Sequence, residues 1–95
     1  MKQITLDDML SLEKCFPEVI FNDGKPFAQF ERILDEYNEA KYEYKNNDRQ
    51  NFLYELIDVM HVTYNVLYKM NYTKEEIKDG INYVLNKNEK RGYYK

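Results

Sequence analysis

The chain has 95 residues, 33% of them charged and 43% hydrophobic, with a net charge of −3, one histidine and one cysteine. This balance fits a single globular domain over residues 1–95 and excludes a disordered chain, a fibrous repeat and a broad basic surface for nucleic acid. A domain of this length is close to the lower limit for an independent core, so assembly as a homo-oligomer is expected.

Cys15 has no second cysteine for an internal disulfide, and the opening residues lack the apolar run of a signal peptide. No stretch approaches the ~20 apolar residues of a membrane span. A soluble cytoplasmic protein with no membrane partner is the expectation. A lone cysteine without a nearby base reads as a small packing residue rather than a reactive thiol.

Thr5 followed by Asp8 resembles a helix start and predicts a first helix over about Leu6 to Phe16, ended by Pro17. Asn22-Asp23-Gly24 predicts a turn, and Pro26 suits the first position of a second helix. The second helix carries Phe27, Phe30, Ile33, Leu34, Tyr37 and Tyr44 as an apolar stripe for the core, and Asn46-Asn47-Asp48 breaks it. A third helix over about Asp48 to Met70 is apolar almost all round, which places it at the centre of a bundle or in a subunit interface. After the turn Asn71-Tyr72, Thr73-Lys74-Glu75-Glu76 predicts a capping box. It opens a fourth helix with the narrow stripe Ile77, Ile81, Val84 and Leu85, stopped at Gly92. The fold class is therefore all-α, a small bundle of about four helices, with residues 1–25 forming an N-terminal helix and turn of unassigned role.

Two acidic pairs carry the chemistry: Glu36 with Glu39, and Glu55 with Asp58. Carboxylates three residues apart on a helix lie about 60° apart on one face and converge. The short 46–48 connection makes the second and third helices antiparallel neighbours. Four carboxylates from two adjacent helices repel one another unless a hard, oxygen-seeking cation such as magnesium joins them. Glu55 falls among Val59, Val62 and Val66 in the apolar arc of its helix, where an unpaired charge is costly. Asp58 lies at the edge of that arc, while Glu36 and Glu39 flank the stripe of the second helix. Ordinary solvated acids explain Asp35 and Glu43 but not Glu55; an ion pair from Arg32 or Arg91 is the other explanation for its burial.

On the fourth helix, Lys87, Asn88 and Arg91 continue the line of Val84 at spacings of three, four and seven. Bases in a last turn ordinarily complement the helix dipole. Beside a carboxylate cage they read instead as phosphate ligands, arginine as a bidentate fork and lysine as a point charge.

With these residues in place, the chain resembles the MazG-like all-α nucleoside triphosphate pyrophosphohydrolases, a group that includes dimeric dUTPases and phosphoribosyl-ATP pyrophosphatases. The family pattern is ExxE, a spacer, then ExxD; here fifteen residues separate Glu39 from Glu55. The resemblance covers about Phe30 to Lys95, including Glu55-Leu56-Ile57-Asp58-Val59-Met60-His61 and the basic ending Lys87-Asn88-Glu89-Lys90-Arg91-Gly92-Tyr93. It implies magnesium, with manganese able to substitute, on Glu36, Glu39, Glu55 and Asp58. It also implies phosphate contacts from Lys87 and Arg91, with Asn88 and Lys90 as helpers, and a homodimer or homotetramer. The implied reaction is hydrolysis of a nucleoside triphosphate to monophosphate and pyrophosphate, with Glu36 or Glu39 orienting or deprotonating the water. Tyr54, Asn65 and Tyr68, on the polar side of the third helix, are the candidates for stacking on the base and reading its edge. His61 reads as a hydrogen-bonded structural residue.

Two other classes fit less well. Asp58 and His61 have the spacing of a di-iron bundle, but such a site needs two Glu-x-x-His units and this chain has one histidine. A non-catalytic helical homodimer that binds nucleotide or a protein partner keeps the fold without turnover.

Overall fold

The computed structural model describes residues 3–18 and 25–94. A single 3-10 turn, Asp8–Leu10, is followed by α1, Leu12–Cys15, α2, Pro26–Lys45, α3, Arg49–Lys69, and α4, Lys74–Lys90. No strand occurs among the described residues, so the all-helical class holds. None of these helices is long and apolar enough to cross a membrane. The expected turn at residues 22–24 lies outside the described residues.

Local chemistry accounts for each boundary. Pro26 stands at the start of α2, where its missing N–H costs nothing. Asp48 caps α3 by accepting a hydrogen bond from the Asn51 backbone N–H at 3.0 Å. Thr73 and Glu76 form the reciprocal capping box of α4, with bonds of 2.9 and 3.1 Å. The three long helices end alike. The residue after each C-cap is left-handed, Asn47 at φ 57°, Asn71 at φ 59° and Gly92 at φ 76°. Behind it the chain closes the paired backbone bonds of a Schellman turn, as in Tyr72 N to Leu67 O and Asn71 N to Tyr68 O. Asparagine and glycine tolerate that conformation where other residues are strained.

The first helix differs from expectation. Thr5 and Asp8 do exchange their side-chain and backbone bonds, at 3.1 and 3.2 Å. That closure supports only a 3-10 turn, and Ser11, extended at φ −132° and ψ 118°, separates it from a one-turn α1. The segment is fastened to α3 instead. The Phe16 ring is buried 5.4 Å from the His61 ring and 6.2 Å from that of Tyr64, and His61 Nε2 lies 2.9 Å from the Pro17 carbonyl oxygen. His61 is therefore the hydrogen-bonded structural residue its isolation suggests.

α2 and α3 form an antiparallel hairpin, and their mutual packing is the main tertiary contact of the chain. The face of α2 turned to α3 is not the predicted stripe. Gln29, Glu36 and Ala40 are buried, whereas Phe27, Phe30, Leu34, Tyr37 and Tyr44 are all more than half exposed. On α3 the buried residues are Val62 and Asn65, and Leu53, Leu56, Ile57 and Met60 on the far side remain exposed. Buried apolar residues among those described are only Phe16, Ala40 and Val62. α4 makes no close backbone approach to α2 or α3 among the described residues. The consequence is a loose chain. Its radius of gyration is 15.2 Å, against about 12 Å for a compact domain of this length.

Candidate metal centre

The site grows from the hairpin register. Glu36 and Glu39, one turn apart on α2, meet Glu55 of α3, and one carboxylate oxygen from each lies within 4.8 Å of the others. Glu36 is buried, Glu55 half-buried and Glu39 exposed, so the cluster runs from the helix interface out to solvent. Asp58, one turn beyond Glu55, is exposed and stands outside this closest trio. Its charge is nevertheless felt by both Glu36 and Glu55.

Electrostatics agree with the geometry. Burial, then the neighbouring Glu39 carboxylate, then the charges of Asp58 and Glu55 push the Glu36 carboxyl up to about 7. Glu55 is also raised, first by burial, then by Glu39, with smaller contributions from Asp58 and Glu43. Near pH 7, without a cation, the cluster holds protons that isolated glutamates would have lost. The ion pair into the cluster is long, Arg32 Nη2 to Glu36 Oε1 at 3.6 Å. Arg32 thus meets Glu36 and not Glu55. Among the described residues, Oε2 of Glu36 and Oε2 of Glu55 are buried and accept no hydrogen bond. Buried carboxylate oxygens with no donor are costly, and a hard divalent cation is the partner that matches acceptor-only oxygen ligands. The donor set therefore fits magnesium or manganese.

The other candidate residues are distributed differently. The wheel position inferred for Glu36, flanking an apolar core stripe, is corrected: it lies on the buried face itself. Asn65 is also corrected. It sits at 1% exposure on the α2-facing side of α3, not on an open polar side, so it presents no free amide edge to a base. Tyr54 is half exposed, and Tyr68 is half-buried with its ring edge-on to Tyr64 at 5.1 Å. Lys87, Lys90 and Arg91 are exposed at the end of α4, and Asn88 donates to the Tyr94 hydroxyl at 3.2 Å. Arg91 lies over the Tyr93 ring, 5.9 Å from its centroid. Ile77 near the start of α4 shares a small pocket with Tyr64, Leu67 and Tyr68 of α3, whereas α4 makes no close backbone approach to the hairpin among the described residues.

One residue joins the site that residue type alone does not single out, and a second shares its helix face two turns away. Glu43, which reads as an ordinary surface acid, is half-buried and acts on Glu55. Gln29 is 1% exposed, with its Oε1 buried and unpartnered. The signal for both is the spacing 29, 36, 40, 43, a helical line of polar and small residues beside the aromatic stripe. Comparison with known proteins finds no match: no family model, no curated protein and no solved structure is significantly similar to this chain.

Proposed function

We propose that this protein is a MazG-like nucleoside triphosphate pyrophosphohydrolase, acting as a homo-oligomer with magnesium or manganese. The observation that carries this reading is the convergence of Glu36, Glu39 and Glu55, with Asp58 one turn away, around buried oxygens that lack any hydrogen-bond donor among the described residues. The four carboxylates would hold the ion. When bound, it supplies charge neutralisation for the triphosphate and polarises the phosphoryl oxygens.

The chain's own groups supply the remaining steps. A water attacks the α-phosphorus, and the bond from that phosphorus to the α,β-bridging oxygen breaks with its electron pair departing on pyrophosphate. The proton of the water passes to a carboxylate of the cluster, Glu36 or Glu39. Lys87 and Arg91, with Asn88 and Lys90, bind the leaving phosphates, and Tyr54 and Tyr68 offer ring faces to the base.

The test is incubation with a panel of ribo- and deoxyribonucleoside triphosphates, with magnesium or with a chelator, and separation of the products by ion exchange. The expected result is magnesium-dependent monophosphate and pyrophosphate. Diphosphate and phosphate would contradict the reading. Tight binding without turnover would replace it by a nucleotide-binding helical homodimer.

A further inference from the structure

The carboxylate cluster has a cation beside it with no part in the chemistry above. Arg32, Glu36, Glu39 and Glu43 recur on α2 at spacings of four, three and four, which puts them on one line along one side of the helix. Arg32 Nη2 lies 3.6 Å from Glu36 Oε1, so the guanidinium stands at the edge of the cluster, one turn toward the start of α2. Its side chain is 44% exposed, against 12% for Glu36. A ligand arriving at the carboxylates from solvent can therefore reach it. The other ion pairs among the described residues lie elsewhere, Lys69 with Glu18, Lys74 with Glu13 and Lys78 with Glu75.

Two properties of the contact separate it from an ion pair that serves stability alone. It is long: a guanidinium that closes its fork on a carboxylate does so at about 2.7–2.9 Å. It is also incomplete, because Glu36 keeps Oε2 buried without a hydrogen-bond donor although the guanidinium stands next to it. Charge then decides what the arginine is for. With the four carboxylates ionised around one magnesium ion the site keeps an excess of negative charge, and Glu43, which acts on Glu55, adds to it. A polyphosphate is itself an anion and settles beside such a cage only against a fixed cation. Arg32 is in place on the same helix, and its planar fork suits two phosphate oxygens.

We infer that Arg32 is a phosphate-binding residue of the cluster, its guanidinium exchanging the loose contact with Glu36 for a two-pronged contact with oxygens of a polyphosphate. The identity of that ligand rests on the hydrolase reading above. Arg32 then supplies from α2 itself a cation for the phosphates, in addition to those of α4, and the exchange leaves the Glu36 oxygens to the metal.

The probe is inorganic pyrophosphate in saturating magnesium, titrated calorimetrically into wild type, Arg32→Gln and Arg32→Lys, with magnesium alone titrated in parallel and circular dichroism as the check on folding. Arg32→Gln is expected to weaken pyrophosphate binding roughly 10- to 100-fold, the loss of a charged hydrogen-bonding partner. Arg32→Lys should fall between the two, because a point charge replaces a fork. Magnesium alone should bind Arg32→Gln at least as tightly as wild type, since a cation beside the cage is gone. An arginine that only neutralises Glu36 gives another pattern: pyrophosphate binding unchanged, or weakened no more than magnesium binding, and either result overturns the inference. So does a wild type that binds no pyrophosphate with magnesium. If Arg32→Gln loses its helices, Arg32→Lys decides, weaker pyrophosphate binding by the folded chain being expected and unchanged binding overturning. The two readings fail separately. Arg32-dependent pyrophosphate binding in a wild type that hydrolyses no triphosphate keeps the phosphate contact and removes the hydrolase reading. Magnesium-dependent turnover whose KM and pyrophosphate affinity survive Arg32→Gln keeps the hydrolase and removes the role of Arg32.

Discussion

The α2–α3 hairpin and α4 obey opposite logics. α4 has the better local signals, a complete capping box and a glycine-terminated end, yet its backbone makes no close approach to another long helix among the described residues. α2 starts without a side-chain cap and turns a glutamate and a glutamine inward, yet it is packed against α3. Capping decides where a helix begins and ends, whereas placement follows from what its neighbours can bury. In the hairpin part of that burial is polar. This costs stability and is tolerated where the polar groups have a task.

The largest effect should follow from cutting that task away. Glu55→Gln or Asp58→Asn should lower magnesium-dependent turnover roughly a hundredfold or more, since disturbing even groups behind a ligand costs ~10–100-fold. Far-ultraviolet circular dichroism should show the helices retained. Equal losses of helix and activity would mean that the carboxylates serve the hairpin's structure, and the contrast with α4 would collapse.

Much of this division is legible in the residues. The convergence of Glu36, Glu39 and Glu55, the short turn at Asn46 to Asp48 and the α4 capping box follow from local periodicity and side-chain chemistry, and the structure carries each of them, whereas Asp58 stands outside the trio and much of apolar α3 stays exposed. The orientation of α2 is not legible. Most of its apolar stripe, Phe27, Phe30, Leu34 and Tyr37, stays exposed, and only Tyr44 at its end meets an α3 ring, that of Phe52 at 5.4 Å, among the described residues, because the spacing of apolar residues tells which face favours burial and not which neighbour supplies it. Asn65 escapes for the same reason, a polar residue on the buried side of an amphipathic helix. The N-terminal segment breaks at Ser11 because the Thr5–Asp8 closure yields a turn as readily as a helix.

Packing and charge within the hairpin can then be separated. Ala40 is 4% exposed at the interface with α3, and Ala40→Leu there should cost about 1–3 kcal/mol by overpacking. The charge contribution has a defined sign. The Glu36 carboxyl rises from an ordinary 4.5 to about 7 on folding, so the folded chain binds its proton more tightly than the unfolded chain does. Metal-free stability should therefore be greatest below about 4.5 and fall as pH rises to about 7, measured as urea midpoints in chelator. Glu36→Gln should flatten that fall and make the metal-free chain more stable than wild type at pH 8, while abolishing turnover. Magnesium should raise the wild-type midpoint at pH 8 and leave the variant's nearly unchanged. A variant destabilised at pH 8 would show that the Arg32–Glu36 contact outweighs the repulsion within the cluster.

The smallest effect concerns the other region. Thr73→Ala removes the hydroxyl that accepts from the Glu76 N–H, at a cost of about 1 kcal/mol. In dilute solution, where chains are separate, α4 has little beyond local structure to hold it, and a lone 17-residue helix is marginal in water. Amide exchange should then quicken over the first turns of α4 while the α2–α3 amides keep their protection. Equal loosening of α4 and the hairpin in dilute solution would show that the two regions fold as one unit.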